Sequence, residues 1–328
     1  VVRSSEIGHG KGTFSDVYRL WLSRRSDARL HPPPRTVVAK LPTESPNRDG
    51  AAADGAYLRE YVAYRHLLGH SPVSTPTCLG QAIDGTTAAF LLEDLTGHRF
   101  VDQIDGLQAS DAATVAEHLA RLHRFWSRRL SEEASPVAVH HVRGATVARF
   151  APERLLAGLE ALAGNWEEIG GATIKAFAGL MDNRDRLVET FVRASGPRAG
   201  GGAFDPPSVT LCHGDPRADN LCFAQDGTPV LFDWQQIAVQ FGEADLAWLM
   251  ATSLDPEVRR AGHEDLVGAY GADIDRLRLG FVLPGLAALM LAQRTADHPR
   301  TRRFIATSLI RIGSALQDYE VAGIGSHR

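Results

Sequence analysis

Five residues in the second half of the chain have types and spacing that suit chemistry. His213, Asp215, Arg217 and Asn220 lie in the run His213-Gly-Asp215-Pro-Arg217-Ala-Asp-Asn220, and Asp233 follows thirteen residues after Asn220, leading Trp234 and Gln235. The order H-x-D-x-R-x-x-N, then an apolar strand, then D, fits phosphoryl transfer. That reaction asks a protein mainly for positioning and charge neutralisation. Asp215 would accept a hydrogen bond from an attacking hydroxyl and orient it. Arg217 would reach the transferred phosphoryl group and offset its charge. Asn220 and Asp233 would supply oxygen ligands to Mg²⁺, and His213 would brace the loop rather than move a proton. The competing reading is a polar turn with incidental acids. The apolar flanks Val209-Thr-Leu211-Cys212 and Val230-Leu231-Phe232 speak against it, because they read as buried strands that pin the loop.

Three further pieces lie in the first half. Gly10-x-Gly12-Thr13-Phe14-Ser15-x-Val17 approximates a phosphate-covering loop G-x-G-x-x-G-x-V, with Ser15 where the third glycine would stand. Glycines there let backbone N–H groups approach phosphates; a plain glycine-rich hairpin turn is the alternative. No G-x-x-x-x-G-K motif occurs, so this is not a P-loop. Lys40 ends the apolar strand Val37-Val38-Ala39-Lys40 and precedes a helix bearing Glu60. Paired, they would aim an ammonium at the α- and β-phosphates; separately, each reads as an ordinary surface charge. Phe90-Leu-Leu-Glu93-Asp94-Leu95 would be a hinge, with backbone groups of Glu93 to Leu95 at the adenine edge and Leu92 lining the base pocket.

These pieces need elements to carry them. Residues 1–96 read as a small β-rich nucleotide-binding lobe. It has two strands within Glu6 to Leu22 joined by a glycine turn, a third strand over Thr36 to Leu41, a flexible connection over Pro42 to Gly55, a helix through Tyr57, Tyr61, Tyr64 and Leu68 capped by Gly69, and a hairpin over Ile83 to Leu95 turning at Asp84-Gly85. Residues 97–328 read as a larger, mainly helical lobe with the catalytic and acceptor sites. A helix capped by Ser110 places Val115, Leu119, Leu122 and Trp126 on one side. Amphipathic helices follow over Arg149 to Arg193, then a Gly/Pro-rich loop over Ser195 to Ser208, the short strands around the catalytic loop, and helices from Glu243 onward.

Composition sets the outer limits. A chain of 328 residues, 44% hydrophobic and 23% charged, can bury a sizeable core. A net charge of -4 gives no basic field for nucleic acid or an anionic membrane. The longest apolar run, Phe281 to Ala292, is too short to span a bilayer and reads as a buried core helix. Three cysteines, Cys78, Cys212 and Cys222, lack disulfide or zinc spacing and fit small buried thiols in a reducing cytoplasm. The chain opens with Val1 rather than Met, so upstream residues are expected and the missing targeting signal says little.

Together these motifs resemble the aminoglycoside phosphotransferase and choline-kinase-like family of the protein-kinase-like superfamily, nearest its ecdysteroid-kinase-like branch. Besides the residues above, Leu119 to Trp126 (LARLHRFW) and Gly242-Glu-Ala-Asp245-Leu-Ala carry the likeness, which spans residues 8 to 248. The resemblance implies an α+β, protein-kinase-like two-lobed fold, ATP or GTP with Mg²⁺, and a small-molecule hydroxyl acceptor. It also implies that Asp245 caps or braces the catalytic region. Without an A-P-E segment after Asp233, peptide substrates are not expected. A nucleotide-binding pseudokinase with a regulatory role is the alternative from another class.

The acceptor itself is not legible. His123, Trp126, Trp166 and Trp248 are candidate lining residues, though aromatics at helical spacing are more often core. A cationic acceptor would need acids gathered near Asp215, with Glu167, Glu168, Asp182, Asp185, Asp219 and Glu243 as candidates; a sterol-like alcohol would need an apolar cleft.

Overall fold

The computed structural model describes residues 1–7, 15–23, 34–44, 47–131, 150–195, 209–296 and 298–325. Five antiparallel strands open it: β1 (Arg3–Glu6), β2 (Ser15–Trp21), β3 (Thr36–Pro42), β4 (Cys78–Asp84) and β5 (Thr87–Glu93). Their order in the sheet is β1-β2-β3-β5-β4. Period-two alternation sets the faces. In β5, Ala88, Phe90 and Leu92 are buried, while Leu91 and Glu93 between and after them are exposed. Phe90 lies directly opposite Lys40 in the ladder, so both sit on the same face.

That face is covered by α1 (Asn47–Ala53) and α2 (Ala56–Val62), and Ala51, Ala56, Tyr57, Phe90 and Leu92 form one apolar cluster beneath it. The connection expected to be flexible over Pro42 to Gly55 therefore holds a helix. The run Ala51-Ala52-Ala53 has high helix propensity, and burying Ala51 anchors it. The next helix does not stop at Gly69. It relaxes into a π turn over Ala63–Leu67 and a 3₁₀ turn over Leu68–His70, and extended backbone resumes at Ser71.

The remainder is mainly helical: α3 (Ala109–Ser131), α4 (Pro152–Asn165), α5 (Gly171–Asp182), α6 (Arg184–Ser195), α7 (Glu243–Ser253), α8 (Pro256–Ala261), α9 (His263–Tyr270), α10 (Ile274–Gly280), α11 (Val282–Ala292) and α12 (Pro299–Asp318). In α3 the expected stripe of Val115, Leu119, Leu122 and Trp126 is buried, although the helix begins at Ala109, ahead of Ser110. Pro284 and Gly285 do not break α11. Proline in a first turn lacks only an N–H that has no intrahelical partner, and a side chain at Gly285 would meet Leu180 Cδ2 at 2.7 Å. No described helix is long and apolar enough to cross a membrane.

Short strands frame the loop from His213 to Asn220. β7 (Thr210–Cys212) pairs with β10 (Ala238–Gln240), and β6 (Arg99–Phe100), β8 (Leu221–Phe223) and β9 (Pro229–Leu231) form a second small sheet. The sequence reading found the β8–β9 hairpin but neither β6 nor β10. Each is only two or three residues long and pairs with a strand distant in sequence. The three cysteines are free thiols, with Cys212 and Cys222 buried.

Candidate active site

The loop after β7 makes a tight turn at Gly214, whose φ is 82°. A Cβ there would lie 2.0 Å from the Gln236 carbonyl oxygen, so both conformation and space require glycine. Asp245, in the first turn of α7, fixes this turn from beneath. Its Oδ2 accepts from the His213 N–H at 2.7 Å and its Oδ1 from the Gly214 N–H at 2.9 Å. The same carboxylate meets His123 Nε2 at 3.1 Å, and His123 Nδ1 meets the Tyr270 hydroxyl at 2.7 Å. With the hydroxyl donating to Nδ1, the ring carries its proton on Nε2 and donates it to Asp245. His123, Cys212 and Asp245 offer three clustered ligand atoms. Those of His123 and Asp245 already meet protein partners, and Cys212 donates weakly to the Gln240 carbonyl at 3.7 Å.

His213 braces the loop. Its Nε2 donates to the Phe232 carbonyl at 2.9 Å, and its Nδ1 accepts from the Asp215 N–H at 3.3 Å. Burial pushes its pKa below the ordinary imidazole value, so the ring stays neutral in this role. Asp215 accepts from Trp248 Nε1 at 2.7 Å and from Asn220 Nδ2 at 2.8 Å. Burial pushes its pKa up to about 6, against the opposing Arg217 charge and with help from Asp233. Arg217 Nε lies 3.3 Å from Asp215 Oδ2 but is not aligned for a hydrogen bond, leaving a buried N–H open.

Asp233 adopts the left-handed conformation, φ 65°, at the end of the β9 segment. This strained geometry for a non-glycine residue marks a position held by its surroundings. Its Oδ1 is 2.6 Å from Lys40 Nζ, which also lies 2.7 Å from both Glu60 oxygens. Burial alone would lower the Lys40 pKa, but the charges of Asp233 and Glu60 outweigh it and hold the ammonium charged. Arg59 adds a second tie from α2, donating to the Gln235 carbonyl at 2.9 Å. No sequence signal singled out Arg59.

The structure thus brings Lys40, Glu60, His213, Asp215, Arg217, Asn220 and Asp233 to one cleft. Ser15 begins β2, opposite Pro42. Gly10, Gly12, Thr13 and Phe14 lie outside the described residues. At the expected hinge, the Glu93 N–H donates to the Thr77 carbonyl at 2.9 Å, and its carboxylate accepts from the Thr77 hydroxyl at 2.8 Å. The Leu95 carbonyl accepts from the His98 N–H at 3.0 Å.

A cavity of about 670 Å³ opens beside Asp215, bounded by Trp248 and by α11 and α12. Of the four aromatic candidates only Trp248 lines it. His123 is buried against Asp245 and Tyr270, Trp126 packs in the core, and Trp166 donates to the Ala292 carbonyl at 2.9 Å. Of the acids named as candidates only Asp219 lines it. Glu168 pairs with Arg302 at 2.7 Å and Glu243 with Arg276 at 3.0 Å. Among the described residues the wall therefore holds no cluster of the candidate acids; Glu168, in the turn between α4 and α5, and Glu243, at the start of α7, are each taken up by an arginine.

The model of the ecdysteroid kinase-like family matches residues 9–278, and the chain belongs to that family. Similar solved structures include the choline kinase LicA from Streptococcus pneumoniae, at TM-score 0.54 and 12% identity, covering 97% of this chain and 94% of that one. A choline/ethanolamine kinase family protein from Mesorhizobium loti aligns at TM-score 0.53 and 16% identity, over 96% of this chain and 92% of that one. An aminoglycoside 2′-phosphotransferase in complex with GDP aligns at TM-score 0.52 and 14% identity, over 100% and 94%. At these identities the likeness shows the kinase-like fold. No curated protein sequence matches the chain.

Proposed function

We propose that this member of the ecdysteroid kinase-like family transfers the γ-phosphate of ATP to a hydroxyl of a small molecule, with Mg²⁺. One observation carries the reading. Lys40 and Glu60 from the sheet side meet Asp233 across the cleft, and the Asp215 carboxylate stands at the mouth of a cavity large enough for a drug-sized ligand.

In this reading residues 1–96 bind the nucleotide and residues 97–328 supply catalysis and acceptor binding. The loop with Gly10, Gly12, Thr13, Phe14 and Ser15 covers the phosphates, and backbone groups near Leu95 hold the base. GTP would satisfy the same phosphate contacts. Lys40, oriented by Glu60, meets the α- and β-phosphates. Asp233 and Asn220 suit Mg²⁺ by their chemistry. Both offer oxygen, and Asn220 Nδ2 is spent on Asp215, leaving Oδ1 for the ion. Bound Mg²⁺ would offset charge on the transferring phosphates.

Asp215 accepts a hydrogen bond from the acceptor hydroxyl and orients its oxygen. A carboxylate with a pKa pushed up to about 6 can also take the proton as the bond to phosphorus forms. Arg217 stabilises charge on the phosphoryl group, using the N–H that no protein acceptor fills. A regulator that only binds nucleotide would gain nothing from this tuned carboxylate beside an acceptor cavity.

The test is acceptor-stimulated ADP release by wild type and Asp215→Asn. The variant should lose turnover by a factor on the order of a thousand or more while still binding nucleotide. Full turnover by the variant would remove Asp215 from the mechanism. Nucleotide binding without turnover across a broad alcohol panel would favour the pseudokinase.

A further inference from the structure

We propose that Gln235 is a positioning residue for the metal: its amide nitrogen holds the Asp233 oxygen that would face Mg²⁺, and its amide oxygen receives a water of the ion's hydration shell. This rests on the phosphotransferase reading, which puts Mg²⁺ at Asp233 and Asn220.

The two oxygens of Asp233 have different neighbours. Oδ1 stands 2.6 Å from the Lys40 ammonium, whereas Oδ2 accepts from Gln235 Nε2 at 3.2 Å. The ammonium repels a second cation from Oδ1. Oδ2 meets a neutral donor and keeps a lone pair for an ion. Gln235 therefore holds the oxygen that suits Mg²⁺. A carboxylate only accepts, so the amide must turn its nitrogen toward Asp233, and that settles which of its atoms is the free oxygen.

That oxygen is the second observation. Gln235 is only 9% exposed, and its Oε1 is buried with no hydrogen-bond donor among the described residues. An amide oxygen shut from solvent and left unpaired is costly, and such an atom calls for an explanation. The residue is not free to turn away. Its backbone carbonyl accepts from Arg59 Nε at 2.9 Å, the Trp234 side chain beside it is fully buried against His213, and the left-handed Asp233 precedes both. Mg²⁺ held by one or two protein oxygens keeps several waters, each with O–H groups to donate. One amide then meets both needs: its N–H orients the ligand, and its oxygen takes a water of the ion. A lysine or arginine here would repel the ion, and an aliphatic side chain would do neither.

The experiment reads metal binding apart from turnover. ADP affinity is measured by calorimetry with Mg²⁺ in excess and with the metal chelated, for wild type and Gln235→Met. The ratio of the two affinities is the metal's contribution. Methionine matches glutamine in length but offers no N–H. Gln235→Met should cut the ratio about tenfold or more and leave metal-free ADP affinity unchanged. Gln235→Glu sets a second carboxylate against Asp233, so Mg²⁺–ADP should raise its melting temperature by more than it raises that of wild type.

An unchanged ratio in Gln235→Met would overturn the proposal, since Oε1 would then face an ordinary buried water. An equal fall with and without metal would overturn it too, because Gln235 would only shape the nucleotide pocket. So would a smaller thermal response in Gln235→Glu than in wild type, or a wild-type ADP affinity that ignores Mg²⁺. ADP release from ATP across an alcohol panel is followed separately. The metal effect without any turnover by wild type would leave the role of Gln235 standing and remove the phosphotransferase reading. Turnover with an unchanged ratio would do the reverse.

Discussion

Trp248 Nε1 donates a 2.7 Å hydrogen bond to Asp215 Oδ1, linking the cavity wall to the carboxylate that, in the proposed reaction, would receive the acceptor's proton. This donor favours the ionised form and so opposes the upward pull of burial on Asp215. Trp248→Phe should move the acid limb of the kcat/KM pH profile upward by about one unit, while an indole that only filled space would leave the limb in place. The profile of the variant against wild type measures it.

In wild type, activity should rise with pH through about 6, where Asp215 loses its proton, and level off above it. Stability should run the other way. A carboxyl whose folded pKa lies above its unfolded one contributes stability at low pH that is lost as pH rises through the folded pKa. Asp215→Asn should therefore match wild type near pH 4 and exceed it near pH 8, by up to about 3 kcal/mol. Chemical denaturation at the two pH values checks the sign; a gap that shrinks with rising pH would contradict it.

Lys40→Ala should remove the charge that holds a buried and a half-buried carboxylate together. Glu60 and Asp233 would then face each other unpaired, destabilising the fold by about 3–5 kcal/mol at neutral pH and less in acid, where one of them protonates. Nucleotide affinity should fall as well. Thermal shift with and without ATP–Mg²⁺ reads both effects.

Asp245 and Tyr270 should give graded losses. Asp245→Asn replaces a carboxylate that accepts from two backbone N–H groups with a side chain having one oxygen, so about 2–4 kcal/mol of stability and most turnover should go. Tyr270→Phe removes only the hydroxyl donor to His123 and should lower stability by about 1 kcal/mol with a modest loss of kcat. Equal effects from both would contradict this chain of support.

Gly214→Ala should abolish activity even if the protein stays folded, because the added methyl would overlap the Gln236 carbonyl and push aside the segment that follows Asp233. Steady-state turnover, with circular dichroism as the control for folding, is sufficient.

The groups that handle charge were legible because phosphoryl transfer demands particular side chains at short, fixed spacings, as in His213 to Asn220. Lys40 and Glu60 were legible because a strand end and a helix face bring them together. What was not legible depends on contacts across long separations. His123 sits on a helix face that reads as ordinary core, and its bonds to Asp245 and Tyr270 cross more than a hundred residues. Arg311 reads as one more charge on α12. It is instead buried, donating to the carbonyls of Gln103 and Ile104 and pairing with Asp255. Whether the candidate acids converge was not legible for a related reason: sequence gives the sign of each charge but not the partner that neutralises it.

The grip of Asp245 on two successive amides has a consequence for how this segment can change. Between His213 and Asp245 the backbone leaves and returns to the same carboxylate, and nearly every residue on the way is buried or half-buried. Gln225, Asp226 and Gly227, at the tip of the β8–β9 hairpin, are the exposed exception. Relatives that differ in length here should carry their insertions and deletions at that tip. An epitope tag or reporter loop spliced there should be tolerated, whereas one extra residue elsewhere in the circuit would break the register of the catalytic groups.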